Sequence, residues 1–132
     1  MIENNRIIAV RDELSSAIKR LQEALDLPEN QINRDATIKR FEFTFELSWK
    51  LMQAIAQYKG VEGYGPRESI RTGARLDLID SIESWFELLD ARNQTSHVYR
   101  EDIADDVYAK TKLLPPLVDT LLQHTEKLLN EK

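Results

Sequence analysis

The stretch from about Asn33 to Tyr58 constrains the fold most, because it is apolar on two opposed sides of a helix. One stripe at helical spacing consists of Phe41, Phe45, Trp49, Met52 and Ala56. A second stripe on the far side consists of Phe43, Leu47, Leu51, Ala54 and Tyr58. The polar residues between them occupy a wedge of only about 80°. One side can therefore face the bundle of its own chain, while the other needs another helix or a second subunit. A central helix in a monomer is the alternative.

The same helical period continues on both sides of this stretch. Residues 3–25 form the first predicted helix, which Pro28 stops because the residue before a proline avoids helical geometry. A loop with three glycines ends at Pro66, which suits the first turn of a helix. The helix that follows is predicted to be short and to end near Ile79.

Two more helical segments complete the chain. Asp80 or Ser81 is placed to cap the first of them, which carries the chain to residue 92. Asp102 opens the last helical region. Inside that region, Pro115 and Pro116 predict a kink or a break, because proline lacks the N–H donor and clashes with the preceding turn.

The composition fits one helical domain over residues 1–132, with 42% hydrophobic residues and only four glycines and four prolines. No segment carries a strand signal. The sequence therefore predicts an all-α fold, an antiparallel bundle of four to five helices. The lack of cysteine excludes disulfides and thiolate metal sites, and no metal or other cofactor is expected. No apolar run reaches membrane-spanning length, so a cytoplasmic protein is expected.

The charge of the chain limits the kind of partner. A formal net charge of −5 argues against a broad basic surface for nucleic acid. Arg67, Arg71 and Arg75 nevertheless stand four residues apart and form a basic ridge on one helix face. Such a ridge is usually only solvated, but in an acidic chain it is also a candidate contact for a partner or for RNA.

Residues 91–101 gather the side chains best suited to chemistry. Arg92 offers a planar, permanently charged fork for phosphate oxygens. His97 can titrate near neutral pH. Tyr99 supplies a hydroxyl that could position a ligand or accept a transferred group. The alternative is a set of polar side chains on a solvated helix face.

An unbroken helix would not aim Arg92 and His97 at one target, because they would lie about 140° apart. Ser96 and Tyr99 would share the face of Arg92, and Asn93 would share that of His97. Either the helix frays within the weakly helix-forming Gln-Thr-Ser that precedes His97, or a second copy of the chain completes the site.

Three stretches together resemble a known family. One stretch has Arg92 and His97 separated by four residues, and His97 and Tyr99 separated by one residue. It resembles the signature of the HepT-like branch of the HEPN superfamily. Residues 41–50, Phe-Glu-Phe-Thr-Phe-Glu-Leu-Ser-Trp-Lys, and residues 65–71, Gly-Pro-Arg-Glu-Ser-Ile-Arg, are similar to the nucleotidyltransferase substrate-binding proteins. The similarity runs over nearly the whole chain.

This resemblance implies a helical bundle that pairs as a two-fold homodimer and binds a small nucleotidyltransferase, typically encoded beside it. In HepT-like relatives the Arg and His act in metal-independent RNA cleavage, and the partner silences them by attaching AMP to the Tyr. Carried over by motif, Arg92 would stabilise the phosphorane charge and His97 would act as general acid or base. Tyr99 would be the modification site.

Two functions remain open from the sequence. The chain is either the binding partner and modification target of a nucleotidyltransferase in a toxin–antitoxin-like pair, or a metal-independent endoribonuclease acting on RNA, and it can be both. Residues predicted to bind or support the substrate or nucleotide are Asn93, Ser96, Arg67 and Arg71.

Overall fold

The structure is a computed structural model that describes residues 4–131. Within that range the chain forms six α-helices, one 3-10 turn and no strand. The helices are α1 (Asn5–Leu25), α2 (Gln31–Tyr58), α3 (Gly65–Arg75), α4 (Ile82–Gln94), α5 (Glu101–Thr111) and α6 (Leu114–Leu129). The 3-10 turn, Thr95–His97, follows α4 directly. The predicted all-α class is confirmed, while the predicted first residue of the first helix, Glu3, lies outside the described range.

Short polar side chains fix where α1, α2 and α4 begin. Asn4, Asn30 and Ser81 each accept a hydrogen bond from the backbone N–H three residues later, at 3.0, 2.8 and 3.3 Å. The Asn30 cap explains why α2 begins slightly before the predicted start. Of the two predicted caps for α4, Ser81 is the one that forms. Oδ1 of Asp80 instead lies 3.6 Å from Nε2 of His124 on α6.

The prediction that the third helix ends near Ile79 was wrong, because α3 ends at Arg75. Asp77 adopts a left-handed φ of 59°, and the backbone N–H of Leu78 donates to the carbonyl of Gly73 at 2.9 Å. This hydrogen bond across a left-handed residue is a common way to terminate a helix. Leu78 and Ile79 continue the apolar spacing but are buried after the helix has ended.

The proline pair separates α5 from α6. Lys112 and Leu113 lie between the two helices, and Pro115 and Pro116 fall in the first turn of α6. A proline there removes no hydrogen bond, since the first N–H groups of a helix have no acceptor inside it. The predicted break is confirmed, and the last predicted region is two helices.

Helix α2 is the centre of the bundle and contacts α1, α3, α4, α5 and α6. Leu51 and Ala54, on its second apolar stripe, are fully covered by helices of the same chain. Phe43 and Leu47 on that stripe remain half-buried, and Tyr58 is 45% exposed. The second stripe is thus covered within the chain at its middle and left partly open towards both ends. No helix within residues 4–131 has the length and apolarity that spanning a membrane requires.

Candidate functional site

The segment between α4 and α5, residues 95–100, carries the predicted site and is called the connector. The α-helix ends at Gln94, and the chain then turns through the 3-10 turn. The hydroxyl of Thr95 donates to the carbonyl of Arg92 at 2.7 Å, which occupies one of the unpaired carbonyls of the helix end. Of the two alternatives that the sequence left open, the structure shows the break in the helix; completion of the site by a second copy stays a prediction.

The connector is anchored at its middle by an apolar contact. Val98 is half-buried and packs with Ile103 against a small cluster formed by Ile38, Val107 and Tyr108. This cluster joins α2 to α5. A side chain of the connector is therefore fixed in the fold, while its neighbours on either side point outward.

An ion pair anchors the end of the connector. Nη2 of Arg34 on α2 lies 3.1 and 3.0 Å from the two carboxylate oxygens of Glu101, the first residue of α5. Nη1 of the same arginine donates to Asp105 at 2.7 Å. Arg34 is buried, and its hydrogen bonds to Glu101 raise the pKa of its guanidinium above the ordinary value. The arginine thus holds the start of α5 against the start of α2.

His97 and Tyr99 are displayed on the connector. Their ring centroids lie 6.1 Å apart in an edge-on arrangement. Tyr99 is 78% exposed, and His97 and Ser96 are also exposed. A tyrosine displayed on an anchored segment is a candidate contact or reaction site, because its phenol is accessible while its backbone is fixed.

Arg92 is held on both sides. Its Nε donates to Oε1 of Glu46 on α2 at 2.6 Å, and its Nη2 forms an ion pair with the same oxygen. Its Nη1 donates to Oδ1 of Asn93 at 3.0 Å. The other oxygen of Glu46 accepts a hydrogen bond from Nε1 of Trp49 at 3.1 Å. The side chain of Arg92 is 30% exposed, and that of Glu46 is 29% exposed.

The structure brings some predicted site residues together and leaves others apart. Arg92 contacts Asn93, and His97 contacts Tyr99, but no hydrogen bond within residues 4–131 joins the two pairs. The guanidinium carbons of Arg67 and Arg71 on α3 lie 5.1 and 5.9 Å from the ring centroid of Phe86 on α4. Phe86 precedes Asn93 by about two helical turns. Each arginine is within the range of a cation–π contact.

Two residues of the site, Glu46 and Arg34, are not evident from the sequence. Glu46 lies in the polar wedge of α2, where a solvated role is the ordinary expectation. The only local signal is that Glu46 lies beside the apolar Phe43 and Leu47, since a partly buried carboxylate needs a charged or hydrogen-bonding partner. The partner itself, Arg92, is 46 residues away along the chain and cannot be identified from local pattern.

A groove of about 640 Å³ lies between α1 and α2. Ala17, Phe43 and Leu47 form its apolar lining. Its charged lining consists of Asp12, Glu13, Arg20, Glu46 and Lys50. The carboxylate that holds Arg92 therefore also borders this groove. Among the described residues, no group of three or more His, Asp or Glu side chains is arranged to hold a metal ion.

Known proteins resemble this chain in sequence and in fold. A Haemophilus influenzae protein described as "Probable ribonuclease HepT" is 36% identical over 78 residues, which are 55% of this chain and 53% of that protein. The match thus spans about half the length of this curated relative.

Two solved structures share the fold, each with a TM-score of 0.79. A Thermus thermophilus protein is 29% identical over 85% of this chain and 98% of its own. A Haemophilus influenzae protein, whose structure is described as the fold of a substrate-binding domain of a nucleotidyltransferase, is 26% identical over 88% of this chain and 98% of its own.

The family described as "Nucleotidyltransferase substrate binding protein like" matches residues 11–127, which include the connector, Arg92 and Glu46. This match covers most of the chain, and the structural relative agrees with it. The chain therefore belongs to the nucleotidyltransferase substrate-binding protein-like family.

Proposed function

We propose that this chain is the binding partner and the AMP-modification target of a small nucleotidyltransferase, in a toxin–antitoxin-like pair. The observation that carries the proposal is Tyr99, which is 78% exposed on a connector anchored by Val98 and Glu101. A phenol displayed in this way can enter the active site of another protein without any unfolding of its own chain. The family match and the structural relative described as a substrate-binding domain support a transferase as the partner.

The chemistry at Tyr99 is a nucleotidyl transfer. The phenolic oxygen attacks the α-phosphorus of ATP, a new O–P bond forms, and the bond to the departing pyrophosphate breaks. The phenol gives its proton to a base or to water, and the transferase supplies the site that binds ATP. What this chain supplies is the nucleophile and a fixed backbone around it.

The test is mass measurement of the chain after incubation with its transferase and ATP. We expect AMP-sized increments on the wild type and none on Tyr99→Phe. Tyr64→Phe is the matched control, because Tyr64 is 72% exposed in the loop before α3. Increments that persist in Tyr99→Phe would place the acceptor elsewhere and refute the assignment.

A second function, metal-independent endoribonuclease, is favoured by the relative described as a probable ribonuclease. In this reaction the RNA 2′-hydroxyl attacks the adjacent phosphorus, a 2′,3′-cyclic phosphate forms, and the bond to the 5′-oxygen breaks. His97 takes the proton of the 2′-hydroxyl as general base or gives a proton to the departing 5′-oxygen as general acid, and water exchanges the other proton; such catalysis typically contributes about 10²–10⁴-fold in rate. Arg92 stabilises the charge that develops on the phosphorane. Asn93 and Ser96 support the bound RNA.

Cleavage of RNA in excess EDTA tests this second function. We expect Arg92→Ala and His97→Ala each to lose nearly all activity. His124→Ala is the control, because His124 on α6 pairs with Asp80 at 3.6 Å and has no role in the proposal. RNA left intact by the wild type, or cut equally well by His97→Ala, would refute the nuclease and leave the binding-partner proposal alone.

The groove between α1 and α2 supports a homodimer, with a second copy of this chain as its occupant. Glu13, Ser16, Ala17 and Arg20 follow one another on a single face of α1. A two-fold axis between Ser16 and Ala17 would place Glu13 of each copy opposite Arg20 of the other, because such a contact is self-complementary. The half-buried Phe43 and Leu47 would become covered in the same interface.

A further inference from the structure

We propose that Glu46 is a positioning residue for Arg92: its carboxylate fixes the guanidinium so that the terminal nitrogens face a phosphate. This proposal rests on the ribonuclease function, in which Arg92 contacts the RNA phosphate. Glu46 itself touches no substrate. It acts through the arginine, from a different helix.

The hydrogen bonds of Arg92 leave a defined part of its guanidinium available. A guanidinium carries five N–H donors. Hydrogen bonds occupy two of them, at Nε by Glu46 and at Nη1 by Asn93, and Nη2 forms an ion pair with the same oxygen of Glu46. At least one N–H therefore remains on each terminal nitrogen, and a bidentate contact with a phosphate uses one from each.

Glu46 is itself held in place. Its Oε2 accepts the Trp49 N–H at 3.1 Å from one turn later on α2, while its Oε1 receives Arg92. The Glu46–Arg92 pair is about 70% covered, with side-chain exposures of 29% and 30%, so water screens it less than a pair on the open surface. The arrangement from Trp49 through Glu46 to Arg92 therefore restricts an otherwise flexible side chain. Restricted geometry of this kind is what a reacting phosphate needs.

An opposite role for Glu46 makes an opposite prediction. A carboxylate beside Arg92 also neutralises its charge and could mask it from RNA. In that case removal of the carboxylate would strengthen RNA binding and speed cleavage. Positioning predicts slower cleavage, because a freed arginine samples many conformations that do not face the phosphate.

The experiment compares Glu46→Ala, Glu46→Gln and Trp49→Phe with the control Glu42→Ala. Glu42 is a fitting control, since it lies one turn earlier on α2, has a side-chain exposure of 32% and pairs with Lys39 rather than with Arg92. Cleavage of a labelled RNA is measured in EDTA as kcat and KM. Binding is measured by anisotropy with the same RNA carrying 2′-O-methyl groups, which cannot be cut.

The kinetic result expected for Glu46→Ala is a loss in kcat of about 100-fold, as misplacement of a reacting group by about 1 Å can produce. KM and the binding of the uncleavable RNA should change much less. Glu46→Gln should recover part of the loss, because its amide oxygen still accepts from Nε of Arg92. Trp49→Phe should lie between wild type and Glu46→Ala. Glu42→Ala should resemble the wild type.

A spectroscopic measurement separates failure of this proposal from failure of the nuclease. The Arg92 Nε–H resonance, assigned by its loss in Arg92→Lys, should be protected from exchange in wild type and Glu42→Ala and unprotected in Glu46→Ala. It should also shift on addition of the uncleavable RNA. If the wild type cuts no RNA but shows the protection and the shift, the nuclease fails and positioning stands. Equal protection in Glu46→Ala, or faster cleavage by that variant, would overturn the proposal.

Discussion

Arg34 near the start of α2 and Glu101 at the start of α5 form a two-pronged ion pair, in which Nη2 of the arginine lies 3.1 and 3.0 Å from the two carboxylate oxygens. Glu101 follows Tyr99 by two residues. The pair therefore fixes the backbone immediately after the proposed acceptor, while Val98 fixes the backbone immediately before it. The phenol between these two anchors remains exposed.

Replacement of Arg34 should loosen the connector. We expect Arg34→Met to lower the free energy of unfolding by about 1–3 kcal/mol, because hydrogen bonds to charged groups are lost from a buried position. It should also slow AMP transfer to Tyr99 more than the stability change alone explains. Chemical denaturation and the rate of mass increment measure the two effects. Arg40→Met is the control, because Arg40 lies on the same helix and contacts α1 instead; an equal slowing in that variant would contradict the role of Arg34.

The helices could largely be predicted from the sequence, because apolar spacing and capping residues are local signals. The break after Gln94 also follows from a local signal, because Thr95 and Ser96 are weak helix formers. The end of α3 was misjudged because Leu78 and Ile79 keep the helical spacing in a buried loop. The Glu46–Arg92 contact joins residues that are 46 positions apart in the chain, and the Arg34–Glu101 contact joins residues that are 67 positions apart. Only the packed bundle reveals contacts of this kind.

The proposed dimer predicts a charge-reversal pattern across the groove. Glu13 and Arg20 line the groove and lie about 10 Å apart along α1. We expect a dimer mass by light scattering at micromolar concentration for the wild type, and weakened association for Arg20→Glu, which places like charges opposite each other. The double variant Glu13→Lys with Arg20→Glu should restore the dimer.

The control for the dimer prediction is Lys19→Glu, which changes an exposed neighbour outside the groove lining and should leave the mass unchanged. A monomeric wild type would contradict the homodimer. A dimer that is insensitive to all these changes would place the interface on another face.

Gly73 marks the closest approach of α3 to α2. A Cβ at this position would lie 2.9 Å from Sδ of the fully buried Met52. We expect Gly73→Ala to destabilise the fold by about 1–3 kcal/mol through overpacking, offset by roughly 1 kcal/mol of helix propensity. Gly63→Ala is the control, because its nearest contact is an ordinary 3.5 Å. A double-mutant cycle with Met52→Ala should show coupling, and strict additivity would contradict the contact.

The dependence of RNA binding on salt tests the basic ridge of α3. Counterion release gives a slope of about −0.7 per neutralised phosphate for a single strand. We expect a shallow slope overall, because the net charge is −5. Arg67→Ala and Arg71→Ala should each reduce the slope by about 0.7 if each binds one phosphate. Lys127→Ala on α6 is the control and should leave the slope unchanged. Unchanged slopes in both arginine variants would show that Arg67 and Arg71 do not contact the RNA.

Modification of Tyr99 should abolish RNA cleavage if both proposed functions hold. The rings of His97 and Tyr99 lie 6.1 Å apart, so an adenylyl group on the phenol would extend beside the histidine that transfers the proton. The phosphodiester of that group also carries a negative charge, which repels an incoming RNA phosphate.

The order in which AMP is added and RNA cleavage is lost can be measured. Wild-type chain should cut RNA before treatment with its transferase and ATP and should stop cutting as the AMP-sized increment appears. Tyr99→Phe should cut RNA with and without the treatment, because His97 and Arg92 are retained while the acceptor is gone. Fully modified wild type that still cuts RNA would show that Tyr99 lies outside the reach of the cleavage site, even though its ring is a neighbour of His97.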